Sequence, residues 1–250
     1  MIRKHGRLAT EETDVASPET DSSRKDERPL FGRGLRVLLV VALLVVLIPV
    51  FIARVYAIPS GSMETTLHGC TGCNNDRVLV DKLAYKFSTP QPGDIVVFIV
   101  PDSWHNTELP QAPVTSNPLM RALGSIGAVF GMEQPDQTDF IKRVIAVGGQ
   151  TVSCCDARNR LIVDGKSVDE PYVYFAPEFG KAQQAAFGPV RVPPGSLWVM
   201  GDSRNNSVDS RAAANGPVPV RSVIGKARWI VLPLYRFGAI GSSTGSTDDQ

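Results

Sequence analysis

A hydroxyl becomes a useful nucleophile when a bend exposes it and a base stands beside it. The segment Tyr56-Ala57-Ile58-Pro59-Ser60-Gly61-Ser62-Met63-Glu64-Thr65-Thr66-Leu67 offers such a setting, because a Pro and a Gly around two serines can fix a non-repetitive turn. Pro-Ser-Gly-Ser is also the composition of a plain linker, so the reading depends on finding a base. The three histidines, His5, His68 and His105, are scattered and lack a patterned carboxylate to orient them, which argues against a Ser-His-Asp triad. The alternative is a neutral lysine, whose pKa of about 10.4 falls only where burial disfavours the ammonium. In Asp139-Phe140-Ile141-Lys142-Arg143-Val144-Ile145-Ala146-Val147 the two-residue period of a strand puts Lys142 on one face with Phe140, Val144 and Ala146, and Arg143 on the other. Lys142 is therefore the candidate base, against the plain alternative of a strand lysine whose amine reaches water.

A third polar segment, Gly201-Asp202-Ser203-Arg204-Asn205-Asn206-Ser207-Val208-Asp209-Ser210-Arg211, follows a hydrophobic run, and Asp209 and Arg211 can pair across one face of an extended backbone. It is either a solvated turn or part of a site. Gly201-Asp202-Ser203 also has the form of a GDS-type esterase block, but no histidine follows His105 to complete that chemistry. The histidines are too dispersed for a His-rich metal centre, and neither a metal nor another cofactor is expected.

Elements must carry these segments to one another. Short β-branched runs broken by Gly and Pro occur at 77–84, 94–100, 140–147, 160–165, 196–201 and 226–232, and predict a mainly β, antiparallel domain. Residues 101–138 form a Pro-rich insertion with one helical spacing from Leu119 to Phe130. Before the strands, Val37 to Ala53 is apolar apart from Pro49, and residues 35–56 make about 20 residues, enough for one transmembrane helix. A cleaved signal peptide would place a shorter run, of about 7–15 residues, near the start. Arg33 and Arg36, with Lys25 and Arg28, face Arg54 across the run, which puts the N-terminus in the cytoplasm and residues 57–250 outside, as a single-pass type II membrane protein. Residues 1–34 read as a disordered cytoplasmic tail and 236–250 as a polar tail. On the outer side disulfides persist, so Cys70, Cys73, Cys154 and Cys155 are expected to be oxidised and structural, with all three pairings open. Zinc or thiol-redox chemistry is the other use of four such cysteines. With 26 Lys+Arg against 25 Asp+Glu, no chain-wide charge draws the protein to nucleic acid.

Taken together and in this order, the segments resemble the type I signal peptidases, membrane-anchored Ser/Lys proteases that release secreted proteins. The resemblance rests on Ser60-Gly61-Ser62-Met63 with Thr66-Leu67, on Arg77-Val78-Leu79-Val80 and Gly93-Asp94-Ile95-Val96, on Ile141-Lys142-Arg143-Val144, and on Gly201-Asp202 through Asn206-Ser207 to Asp209-Ser210-Arg211. It implies Ser62 as nucleophile, Lys142 as general base and the Ser60 hydroxyl, beside the Ser62 N–H, as oxyanion donor. It also implies that Ser207 orients the lysine amine, with Asp209 and Arg211 supporting the loop as an ion pair. Tyr56, Ile58, Met63, Leu67, Phe140 and Ile141 would line shallow apolar pockets, the partners being preprotein signal peptides and membrane lipid. The chain departs from the family at Thr65, where Pro is usual, and at Ser203 and Asn205, where Asn and Asp are usual. The short stretch from Gly149 to Val199 leaves no room for the large second β-domain of some members. Two rival readings are a self-cleaving repressor protease with a similar Ser/Lys pair and a membrane-anchored β-domain that only binds partners.

Overall fold

The computed structural model describes residues 30–70, 73–104 and 139–241. The expected tail as far as residue 29, the insertion from residue 105, including His105, and the end from residue 242 lie outside them, while residues 30–34, expected to belong to the tail, are helical. The chain divides into two compact units, residues 1–40 and 41–250. Helix α1 (Leu30–Leu47) begins in the first unit, and its described side chains are exposed, including a run of Leu and Val from Val37 with Leu38 at 65%. Within the second unit α1 ends, a π-helical turn spans Ile48–Ile52, and strand β1 (Ala53–Ala57) follows.

This corrects the expected continuous helix over 35–56. Pro49 lies in the π-helical turn and has no N–H to give to a helical ladder. The residues after it pair as β1 with β2 (Arg77–Asp81), Tyr56 opposite Val78. Burial of Tyr56 at that pairing rewards strand over helix in a way an apolar count cannot register. Among the described residues no helix is long and apolar enough to cross a membrane.

After β2 come β3 (Ile95–Ile99) and β4 (Asp139–Val147), then four short strands, β5 (Thr151–Cys154), β6 (Leu161–Val163), β7 (Lys166–Ser167) and β8 (Phe187–Arg191). The chain continues through β9 (Ser196–Met200), β10 (Val218–Pro219), β11 (Val223–Leu232) and β12 (Gly238–Ala239). The main sheet runs β1-β2-β11-β3-β4-β9-β10 with β12 on β11, and the second runs β7-β6-β5-β8. Neighbouring strands are antiparallel in both sheets. Each of the six β-branched runs contains a strand. The polar end begins later than residue 236, because Gly238 and Ala239 pair with Ile230 and Trp229.

Strand β3 is apolar at consecutive positions because both of its faces are covered. Ile95 and Val97 enter one cluster with Tyr56, Ile58, Met63, Leu67, Val78 and Val80. Val96 and Phe98 enter another with Trp104, Val144, Leu197 and Val199. Trp104, at the start of the expected insertion, belongs to the core, its ring edge-on to Phe98 and Phe140 at 5.6 and 6.1 Å between centroids. A third cluster joins the second sheet to the main one, with Val152, Cys154 and Leu161 against Ile145, Trp198 and Met200.

Candidate active site

The turn after β1 is what the Pro and Gly suggested. Gly61–Met63 forms one 3-10 turn, preceded by extended Ser60 and closed by Glu64 N–H donating to Gly61 O at 3.1 Å. The turn tucks Met63 and Leu67 into the core and leaves Ser62 just below the surface at 7% exposure. Lys142 comes from β4 at 4% exposure, its register set by pairing with Val96 of β3. The two meet: Lys142 Nζ lies 2.8 Å from Ser62 Oγ and 3.0 Å from Ile141 O. Ser60 Oγ is 3.3 Å from Ser62 Oγ, and the Phe140 ring centroid is 5.3 Å from Nζ.

Burial is the main influence on the Lys142 amine and lowers its pKa to about 8, with Arg211 adding in the same direction. Asp209 and Asp202 oppose this without reversing it. Burial would raise the Asp209 carboxyl, but hydrogen bonds and charge from Arg211 and the Gly201 N–H leave it below the usual range. Asp209 and Arg211 form the expected ion pair, at 2.7 and 2.8 Å. A small amine with a depressed pKa against a buried hydroxyl can accept the hydroxyl proton and return it.

Some expected residues are elsewhere than the resemblance implies. Ser207 Oγ is buried without a hydrogen-bond partner among the described residues, and Lys142 Nζ is instead held by Ser62 and the Ile141 carbonyl. Ser207 packs against Gly201, where a Cβ would clash with both Ser207 Oγ and Ser62 O. Tyr56, Ile58, Phe140 and Ile141 line one cleft together with Ala57, Pro59, Val97 and Asp139. Met63 and Leu67 do not line it, being fully enclosed in the core beneath the serine turn. His68 is bound through Nδ1 to Glu64 at 2.6 Å, and the hydrogen-bond neighbours of Ser62 Oγ are Ser60 Oγ and Lys142 Nζ.

The cysteines pair locally, Cys70 with Cys73 and Cys154 with Cys155. His68, Cys70 and Cys73 could ligate a metal by their separation, with ligand atoms within 4.8 Å of one another. A disulfide leaves neither sulfur as the thiolate that zinc requires. Gly69, just before Cys70, packs against the chain leading into the serine turn, for a Cβ there would lie 2.4 Å from Ile58 O and 2.8 Å from Ser60 O.

Sequence reading missed the residues that tie the site together. Arg143 is buried at 1% exposure, and Nε and Nη2 donate to Asp202 at 2.8 and 2.6 Å. Asp202 also accepts the Thr66 hydroxyl at 2.6 Å, and Ser203 N–H donates to Ser62 O at 3.1 Å. Arg204 pairs with Glu170 at 2.6 Å and donates to Gln184 at 2.7 Å. Arg143 and Asp202 stand in the quoted motifs, and Arg143 on the face opposite Lys142, but nothing local names either as the other's partner.

The family model for signal peptidase, peptidase S26, matches residues 32–232. The chain is 45% identical over 217 residues to a probable signal peptidase I of Mycobacterium leprae (strain TN), covering 77% of this chain and 73% of that one. It is 44% identical over 249 residues to a signal peptidase I of Mycobacterium tuberculosis (strain CDC 1551 / Oshkosh), covering 94% and 83%. A probable signal peptidase I-1 of Synechocystis sp. (strain ATCC 27184 / PCC 6803 / Kazusa) is 36% identical over 209 residues, covering 83% and 86%.

Proposed function

This chain belongs to the signal peptidase family, peptidase S26, and is a peptidase; from that premise we propose that Ser62 and Lys142 are its catalytic dyad and that it cuts signal peptides from secretory preproteins at the outer face of a membrane. The observation that carries this reading is the 2.8 Å contact between Lys142 Nζ and Ser62 Oγ in a buried setting. Neutral Lys142 takes the Ser62 proton as the oxygen attacks the scissile carbonyl. The oxyanion is received by the Ser60 hydroxyl and the Ser62 N–H. Lys142 then gives its proton to the leaving amine, and the acyl group remains on Ser62 as an ester. A water deprotonated by Lys142 hydrolyses that ester and regenerates both residues. The cleft beside Ile58, Phe140 and Ile141 is apolar and small, which favours short side chains next to the cut.

The exposed apolar run of α1 from Val37, beyond Arg33 and Arg36, supports membrane anchorage, since exposed Leu and Val in series gain nothing from facing water. With Arg33 and Arg36 on the cytoplasmic side, the β-domain lies outside, where the two cysteine pairs act as structural disulfides. Ser62→Ala in the full chain tests the core of this reading. It should abolish preprotein cleavage and leave the folded protein intact by circular dichroism. Continued cleavage by the alanine protein would remove Ser62 from the mechanism.

A further inference from the structure

The second sheet has no part in the dyad, yet the connection between its strands β7 and β8 runs along the loop carrying Asp202 to Asp209. Tyr174 N–H donates to Asp202 O at 2.9 Å, Arg204 N–H donates to Tyr174 O at 2.9 Å, and Asn205 exchanges hydrogen bonds with Ala176 at 2.8 and 2.9 Å. Two residues before Tyr174, the ring of Tyr172 lies 3.8 Å from the Arg143 guanidinium carbon, measured to the ring centroid. The edge of that guanidinium donates to Asp202, Gly93 O and Thr66 Oγ1, which leaves its flat face to be covered. A ring is the group that covers a buried guanidinium face without demanding another hydrogen bond. The second guanidinium, of Arg204, lies 6.0 Å from the same ring, and the Tyr172 hydroxyl donates to its partner Glu170 at 2.9 Å.

We propose that Tyr172 is a positioning residue for catalysis: its ring, delivered by the second sheet, clamps the Arg143–Asp202 ion pair and so holds the base strand and the nucleophile turn in register. The proposal rests on the Ser62/Lys142 reading above. The route is short. Arg143 is the neighbour of Lys142 on β4, while Asp202 reaches the serine turn through Thr66 and, by the adjoining Ser203 N–H, through Ser62 O. Lys142 is faced by Asp202, Asp209 and Arg211, so an Asp202 carboxylate less closely neutralised by Arg143 would favour the ammonium.

The test uses full-length protein and a preprotein substrate, with kcat and KM followed against pH. Tyr172→Leu should lower kcat about tenfold with KM nearly unchanged, and should move the alkaline rise of the rate to higher pH. Tyr172→Phe, which keeps the ring, should retain both kcat and the pH midpoint. A purely structural role would lower the unfolding midpoint of Tyr172→Leu while the folded fraction kept the normal pH profile, and that result overturns the proposal. Equal defects in the Phe and Leu proteins would do the same, by assigning the effect to the hydroxyl. If the Leu protein does not accumulate folded, Tyr172→Trp against Tyr172→Met makes the same comparison of face against volume. Wild-type protein without turnover would sink the dyad reading and the proposal together; active wild type with an unaltered Leu protein sinks the proposal alone.

Discussion

At the scale of the residue, the proton inventory of one lysine sets the working range. The rate should follow the fraction of neutral Lys142, rising through a pH of about 8, levelling above it and falling about tenfold per unit below. Lys142→Arg should be as inactive as Lys142→Ala, because a guanidinium does not deprotonate in this range. A near-normal pH–rate profile from the arginine protein would show that another group is the base. The same shift carries a stability consequence. A lysine lowered from 10.5 to about 8 penalises the folded state in full below pH 8, and the penalty disappears as the amine is neutral in both states above 10.5. Lys142→Met should therefore unfold at higher denaturant at pH 7, by up to about 3 kcal/mol, with the gain shrinking from pH 8 to 10.5. Equal gain at both ends of that range would show that packing, not charge, explains it.

At the scale of the element, the serine turn and the 201–211 loop touch at a point where only a glycine fits. Gly201→Ala would push its new methyl into Ser207 and the Ser62 carbonyl, so backbone must move on one side or the other. Overpacking of this kind costs about 1–3 kcal/mol. A displacement near 1 Å at Ser62 can reduce turnover about a hundredfold. Thermal unfolding and kcat of Gly201→Ala should therefore both fall, with kcat falling at temperatures where the protein is fully folded. Loss of stability with undiminished kcat would mean that the loop yields and the Ser62 turn does not depend on it.

At the scale of the whole molecule, the proposed topology separates two chemistries. Protease added to intact spheroplasts should digest the β-domain and spare the N-terminal tail. Digestion of the tail with protection of the domain would invert the orientation and remove the oxidising setting on which the two disulfides rest. The molecule spends its second sheet on support, since Val152, Cys154 and Leu161 pack under Met200 and thereby under the start of the loop that carries Asp202.

The sequence by itself determined the parts whose signals are local. Alternation around Lys142 grouped it with Phe140 and Val144, though a bulge after Val144 turns the expected Ala146 to the other cluster, Pro59 and Gly61 marked the serine turn, and six β-branched runs marked strands, because burial pattern and turn chemistry are written within a few residues. What only the tertiary structure decided was pairing over distance. The end of the apolar run became β1 through its partner β2, Met63 and Leu67 went into the core instead of the cleft, and Ser207 stands beside Gly201 with Lys142 held by others. Arg143 with Asp202, and Arg204 with Glu170, are bonds across 59 and 34 residues. Nothing in either local sequence names its partner, since a buried charge is matched by whatever the fold brings within reach.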